Sequence, residues 1–143
     1  KPQLSFYHAA HIPVYSTSHI FTGKADPIQD IDLDGIRFCD MPWMLVGDGK
    51  IGELRRTLQR DWPYAHSDLD RLYALGIDSY NILPNLNRIS MESTARFSGV
   101  TSGLSLERDG RLHRQLLWAR FHKGVPRLIK NDAEPSTPPP PRS

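Results

Sequence analysis

Hydrophobic positions change their period twice along this chain. Ile12, Val14 and Tyr15 are strand formers running into a Ser-Thr-Ser turn, so residues 12–16 predict a first strand. Residues 35–39 predict a second, with Ile36 and Phe38 alternating against Arg37 and Cys39. Between them, residues 22–34 are polar and broken by Gly23 and Pro27, which makes them a connection. The period then lengthens. Ile51, Leu54 and Leu58 recur at helical spacing, and Asp61-Trp62-Pro63 closes that helix. Ser67 can cap a second helical region carrying Leu69, Leu72 and Tyr73 up to Gly76. A third starts near Asp78 with Tyr80, Leu83 and Leu86 on one side, where Pro84 predicts a kink or a first turn. From Ser102 the period returns to two: Leu104 and Leu106 lead into an Arg108-Asp109-Gly110 turn, and residues 112–121 form the returning strand. Lys123-Gly124 turns into a last strand at 125–129.

Composition narrows the class. A chain of 143 residues can bury roughly 68–70% of its unfolded surface, and 38% hydrophobic with 24% charged residues excludes disorder, collagen and coiled coil as whole-chain readings. The longest apolar run, residues 41–46, is far short of the roughly 20 residues of a membrane helix. Five of the twelve prolines fall within residues 131–143, four of them in the run Pro138 to Pro141, so this proline-rich tail is expected outside a main unit of residues 1–130. The start at Lys1, without a methionine or an apolar leader, suggests a piece of a longer polypeptide. Parallel strands need crossover partners, and too few consecutive strand-helix-strand units are present, so the segment is not expected to fold on its own.

Charge excludes one partner and locates another candidate surface. A net +2 is too small for a nucleic-acid binder. Its distribution is uneven: residues 24–53 carry three basic and seven acidic side chains, whereas residues 104–130 carry seven basic and two acidic ones. Arg111 and Arg114, in the basic closing meander, are the candidate partner-binding residues, because guanidinium groups fork onto carboxylates and stack on rings; a solvated basic face is the competing explanation.

The motifs that could carry chemistry each have a plainer reading. Gly47-Asp48-Gly49-Lys50-Ile51-Gly52 matches a dinucleotide fingerprint, but Pro42 interrupts the preceding run and the acids some 20 residues on, Asp68 and Asp70, fall in a predicted helix; a loop before a helix fits better, and no cofactor is expected. Asp30, Asp32, Asp34 and Gly35 open like a calcium loop, yet the twelfth position is Met41, so an acidic connection is preferred. None of the six histidines has zinc-ligand spacing, Cys39 reads as a core side chain, and no nucleophile elbow is present, so neither a metal nor a catalytic residue is expected. With one cysteine there is no internal disulfide, which leaves both reducing and oxidising compartments open.

Four segments are informative together: Pro13-Val14-Tyr15-Ser16-Thr17-Ser18, Asp40-Met41-Pro42-Trp43-Met44-Leu45, Leu72-Tyr73-Ala74-Leu75-Gly76-Ile77-Asp78-Ser79-Tyr80 and Gly99-Val100-Thr101-Ser102-Gly103-Leu104-Ser105-Leu106. In this order and spacing they resemble the C-terminal domain of the LppC/LpoA family, outer-membrane lipoproteins that activate a class A penicillin-binding protein. The last segment also resembles type I periplasmic binding proteins more widely. The resemblance implies an α/β fold of the type I periplasmic-binding-protein kind, with two lobes built on parallel sheets and this chain supplying the C-terminal portion. Residues 35–44 would lead into a crossover, and the closing hairpins would join the helices of residues 67–89 in one lobe. It further implies a non-enzymatic regulator of peptidoglycan synthesis on the periplasmic side of the outer membrane, with the lipid anchor outside this chain and a class A penicillin-binding protein as partner. The alternative is a periplasmic sensor or binding protein for an amino acid or cell-wall fragment. Residues after strand ends line the cleft of such folds, so Ser16, Thr17, Ser18 and Asp40 are its candidate ligand residues; turn chemistry is the competing explanation for the first three.

Overall fold

The computed structural model describes residues 2–9, 11–62, 69–91 and 95–129. Among these, five helices, α1 (Pro2–Phe6), α2 (Pro42–Leu45), α3 (Gly49–Asp61), α4 (Asp70–Ile82) and α5 (Leu86–Met91), accompany seven strands, β1 (Tyr15–Ser16), β2 (Arg37–Asp40), β3 (Phe97–Ser98), β4 (Gly103–Leu106), β5 (Leu112–Gln115), β6 (Leu117–His122) and β7 (Val125–Leu128). The strands form two sheets, ordered β1-β2-β6-β7 and β3-β4-β5. β1 pairs parallel with β2, while β6 and β7 add antiparallel; the second sheet is antiparallel throughout. Each sheet has its own apolar cluster. Phe38, Ala119 and Phe121 on one face of the first sheet pack with Phe21, Trp43, Met44 and Ala74, and Phe38 stacks on Phe121 with centroids 5.1 Å apart. Ile82, Ile89 and Leu104, with Phe97 and Leu106 against them, make the smaller cluster under the second sheet.

Most elements stand where the periodicity puts them, and the departures have physical reasons. The first strand is shorter than expected: Pro13 has no N–H to give, and beyond Tyr15–Ser16 the pairing is reduced to Val14 accepting from the Arg37 N–H (2.9 Å). Residues 112–121 are not one strand. The chain leaves the second sheet after Gln115 and enters the first at Leu117, so only Leu116 separates β5 from β6. The two hairpins therefore belong to different sheets: β4–β5 packs with Ile82 and Ile89, whereas β6–β7 closes the first sheet, whose core takes Ala74 of α4.

The two helical regions meeting at Gly76 are one continuous helix, α4. An interior glycine costs about 1 kcal/mol relative to alanine, but burial along the rest of the helix outweighs it. Its buried positions are Asp70, Ala74, Asp78 and Ile82, at intervals of four, while Leu69, Leu72 and Tyr80, expected to face inward, are exposed. Pro84 ends the α-helical geometry in a 3-10 turn, Leu83–Asn85, before α5. The capping role of Ser67, the closing role of Pro63 and the tail from Lys130 lie outside the described residues.

The glycine-rich segment is used for packing. Gly49 begins α3 at φ +67°, and Gly52 is buried against the Gly47 carbonyl so closely that a Cβ has no room. Arg56 Nη1 donates to that same carbonyl (2.7 Å).

Candidate functional site

Acidic side chains organise the interior, and each is matched to donors brought from elsewhere in the chain. Asp40, at the end of β2, is 1% exposed. One of its oxygens accepts from the Met41 N–H (2.8 Å) and the other from Arg71 Nη2 on α4 (2.7 Å). The same Arg71 Nη2 donates to the carbonyls of Ser18 (3.0 Å) and Phe21 (2.7 Å). A planar guanidinium can serve several acceptors at once, so Arg71 pins the 3-10 turn after β1, the end of β2 and the first turn of α4 to one another.

On the neighbouring position of α4, Asp70 accepts from the buried Trp43 indole N–H and from Arg55, whose Nε lies 3.0 Å from Oδ2. That triad joins α2, α3 and α4. Asp78 faces the β3–β4 connection, where it accepts from the Val100 N–H (2.8 Å), the Thr101 N–H (2.8 Å) and the Thr101 hydroxyl (2.6 Å). In the acidic connection, Asp34 accepts from the N–H groups of Lys123 (2.9 Å) and Gly124 (2.8 Å), while Asp30 accepts from the Asp26 N–H (3.2 Å). Asp34 thereby holds the β6–β7 turn, in which both Lys123 and Gly124 have positive φ. Among the described residues no group of three His, Cys, Asp or Glu side chains is arranged to hold a metal ion.

The structure brings Ser18 and Asp40 together through Arg71, with Ser16 alongside Phe38 in the β1–β2 pair and Thr17 exposed beside them. In this arrangement the Asp40 carboxylate is occupied by the fold itself. An open recess of about 430 Å³ lies where the two sheets meet, lined by Pro42, Gly103, Gln115, Leu117, Trp118 and Ile129 among others, and none of the four cleft candidates borders it. Arg111 sits in the β4–β5 turn, paired with Asp109 (3.3 Å), and Arg114 on β5 borders a shallow pocket with Asp78 and Thr101. Arg111 thus lies in the turn before β5 and Arg114 on β5 of the second sheet, whereas Arg120 and Arg127 lie on β6 and β7 of the first. Arg71 is the residue sequence reasoning missed: an arginine on an amphipathic helix reads as solvated, and its acceptors lie 31 or more positions away.

The ionisable pair with displaced pKa values stands apart, at the end of α3. Arg60 donates to Asp61 (2.9 Å), and that hydrogen bond holds the Asp61 carboxyl below its usual range and raises Arg60. Both are exposed, so the pair marks a surface contact.

Two adjoining sheets with separate cores, a chain that passes from one to the other through Leu116 alone, and a parallel pair followed by antiparallel closing strands define a periplasmic-binding-protein-like α/β domain. Solved structures agree. LpoA from Haemophilus influenzae superposes with a TM-score of 0.70 at 20% identity, covering 92% of this chain and 24% of that one. Its separately solved C-domain, described as a regulator of PBP1A, gives 0.68 at 19% identity over 90% of this chain and 41% of that one. A putative branched-chain amino acid ABC transporter from Chromobacterium violaceum gives 0.53 at 31% identity, covering 84% and 39%. The chain belongs to the LppC putative lipoprotein family, whose model matches residues 1–124. Among curated relatives, the penicillin-binding protein activator LpoA of Erwinia tasmaniensis is 24% identical over 115 residues, which is 80% of this chain. That of Edwardsiella ictaluri is 25% identical over 126 residues, 87% of this chain. The chain spans 16% and 18% of the length of these two relatives.

Proposed function

We propose that this chain is the C-terminal portion of a regulator of peptidoglycan synthesis, which docks on a class A penicillin-binding protein and raises its activity without chemistry of its own. The observation that carries the reading is the family match over residues 1–124, together with relatives named as penicillin-binding protein activators. The interior supports it: the buried acids Asp40, Asp70 and Asp78 are each spent on tying elements together, which suits a domain that presents a fixed surface. The regulator acts at the periplasmic face of the outer membrane, held there by a lipid anchor, and residues 1–130 form the folded portion with residues 131–143 as a proline-rich tail. Purified complete protein is expected to increase the rate of glycan polymerisation or peptide crosslinking by the synthase. Absence of any stimulation, with saturable binding of an amino acid or cell-wall fragment in its place, would overturn the regulator reading in favour of a sensor.

A further inference from the structure

The register of the first sheet sets Tyr15, Arg37, Arg120 and Arg127 side by side in one row across β1, β2, β6 and β7. All four are exposed on the face opposite the Phe38–Phe121 core. Neighbouring strands lie about 4.8 Å apart, so three guanidinium groups rise from anchor points spanning roughly 10 Å. Like charges directly opposite one another destabilise a sheet, and here the conflict occurs twice in succession. No acid relieves it: among the described residues none of the three arginines forms an ion pair with a carboxylate. Among the described residues the Arg37 guanidinium is met by Tyr15, whose hydroxyl accepts from Nη1 (3.2 Å) and whose ring centre lies 5.8 Å from the guanidinium carbon. Two residues before Arg120 on β6, and so on the same face, Trp118 stands opposite Cys39, 40% exposed, with its ring edge-on to Tyr15 at 6.0 Å.

This row is not a by-product of a basic chain, because the whole sequence is only +2. A solvated sheet face would intersperse both signs, whereas this one breaks the pairing rule twice with only the Arg37–Tyr15 contact to offset it within the described residues, the mark of a surface kept for a partner. Its side chains are tryptophan, tyrosine and arginine, the residue types that dominate binding energy at protein interfaces. Three charges on a flat, rigid sheet beside two rings suit a protein surface better than a nucleic acid or a membrane, each of which draws on broader basic areas.

We propose that this face is a docking surface for an acidic patch on a protein partner, whose carboxylates receive the forks of Arg37, Arg120 and Arg127 while an apolar side chain packs on Trp118 and Tyr15. The identity of that partner as the penicillin-binding protein rests on the regulator reading above; the chemistry of the surface does not.

The test measures binding of the complete protein to purified class A penicillin-binding protein at low and high salt. Compared with wild type are a triple charge-neutral variant (Arg37→Gln, Arg120→Gln, Arg127→Gln), Trp118→Ala, and a Lys50→Gln, Arg88→Gln control at two exposed positions outside the row, each with its melting temperature. The triple variant is expected to lose roughly tenfold or more in affinity and most of the salt dependence, at unchanged melting temperature, while the control binds like wild type. Equal binding by the triple variant, or the same loss of binding in the control, overturns the docking surface and leaves the regulator reading standing. A triple variant that loses binding together with several degrees of melting temperature also overturns it, since the row is then covered by an acidic part of the same protein. Should wild type fail to bind the synthase, the regulator reading falls; capture of the wild type but not the triple variant by an immobilised Glu-rich protein then still supports the surface, and equal capture overturns it. As a second readout, Arg120→Lys with a carbodiimide is expected to crosslink to an Asp- or Glu-containing peptide of the bound protein.

Discussion

Gly99 and Asp78 share a space that admits only one side chain. A Cβ added to Gly99 would fall well inside van der Waals contact distance of both Asp78 oxygens, in the place from which that carboxylate reaches the Val100 and Thr101 N–H groups. α4 and the β3–β4 connection are thereby locked by a glycine that makes room and an acid that fills it.

Substitution at the two positions should therefore be non-additive. Gly99→Ala is expected to cost about 1–3 kcal/mol by forcing the carboxylate aside, and Asp78→Ala about 2–4 kcal/mol by stranding buried donors. In the Asp78→Ala background the added methyl has space, and its cost should shrink by about 1 kcal/mol or more. Urea unfolding of the two single variants and the double variant in the complete protein measures this; simple addition would show that the crowding is relieved by backbone movement.

Arg71 should not tolerate its usual substitute. A lysine at this position would keep the charge, but a compact ammonium on a flexible stem cannot hold Asp40 while meeting both the Ser18 and Phe21 carbonyls. Arg71→Lys is expected to destabilise by about 2–3 kcal/mol, toward the range seen when a buried pair loses a partner. A midpoint in urea within experimental error of wild type would contradict the clamp.

The Trp43–Asp70–Arg55 triad gives an order of effects. Trp43→Phe removes the indole N–H together with part of a fully buried ring, with an expected cost of about 2–3 kcal/mol. Asp70→Ala strips the acceptor from a buried indole and from an arginine side chain that is only 16% exposed, and should cost more, about 3–4 kcal/mol. Denaturation curves giving the reverse order would mean that Arg55 is satisfied by the Gly23 carbonyl alone, 3.3 Å from its Nη2.

The 143-residue chain taken by itself is expected to melt broadly. Its larger cluster is closed on one side by a two-residue strand, and Phe6, Tyr7, Tyr80 and Leu83 are left in solvent. Calorimetry of the isolated segment, giving a single sharp transition whose van't Hoff and calorimetric enthalpies agree, would show that the segment is a complete cooperative unit.

Sequence carried the family and most elements, and the reasons are local. Asp40-Met41-Pro42-Trp43 is legible as a motif because three of its four side chains are buried and each has a separate task. The Lys123-Gly124 turn is legible because its glycine meets positive φ in the way a two-residue hairpin requires. The inward side of α4 is not. Periodicity assigns burial to leucine and tyrosine, whereas Asp70 and Asp78 go inside because Trp43, Arg55, Val100 and Thr101, distant in sequence, supply donors there. The arginine row is invisible for a related reason: residues 37, 120 and 127 become neighbours only through strand register.

The single residue between β5 and β6 gives the closing strand a reading frame. Side chains alternate along β6, Trp118 and Arg120 outward and Ala119 and Phe121 inward, and Leu116 sets the phase with which that alternation begins. Deleting Leu116, or inserting one residue beside it, would invert every later side chain: guanidinium into the aromatic core, phenyl ring into water. Length at this joint is therefore held more strictly than identity, and a chain that changed Leu116 to another residue would keep both sheets, whereas one that lost it would keep neither face.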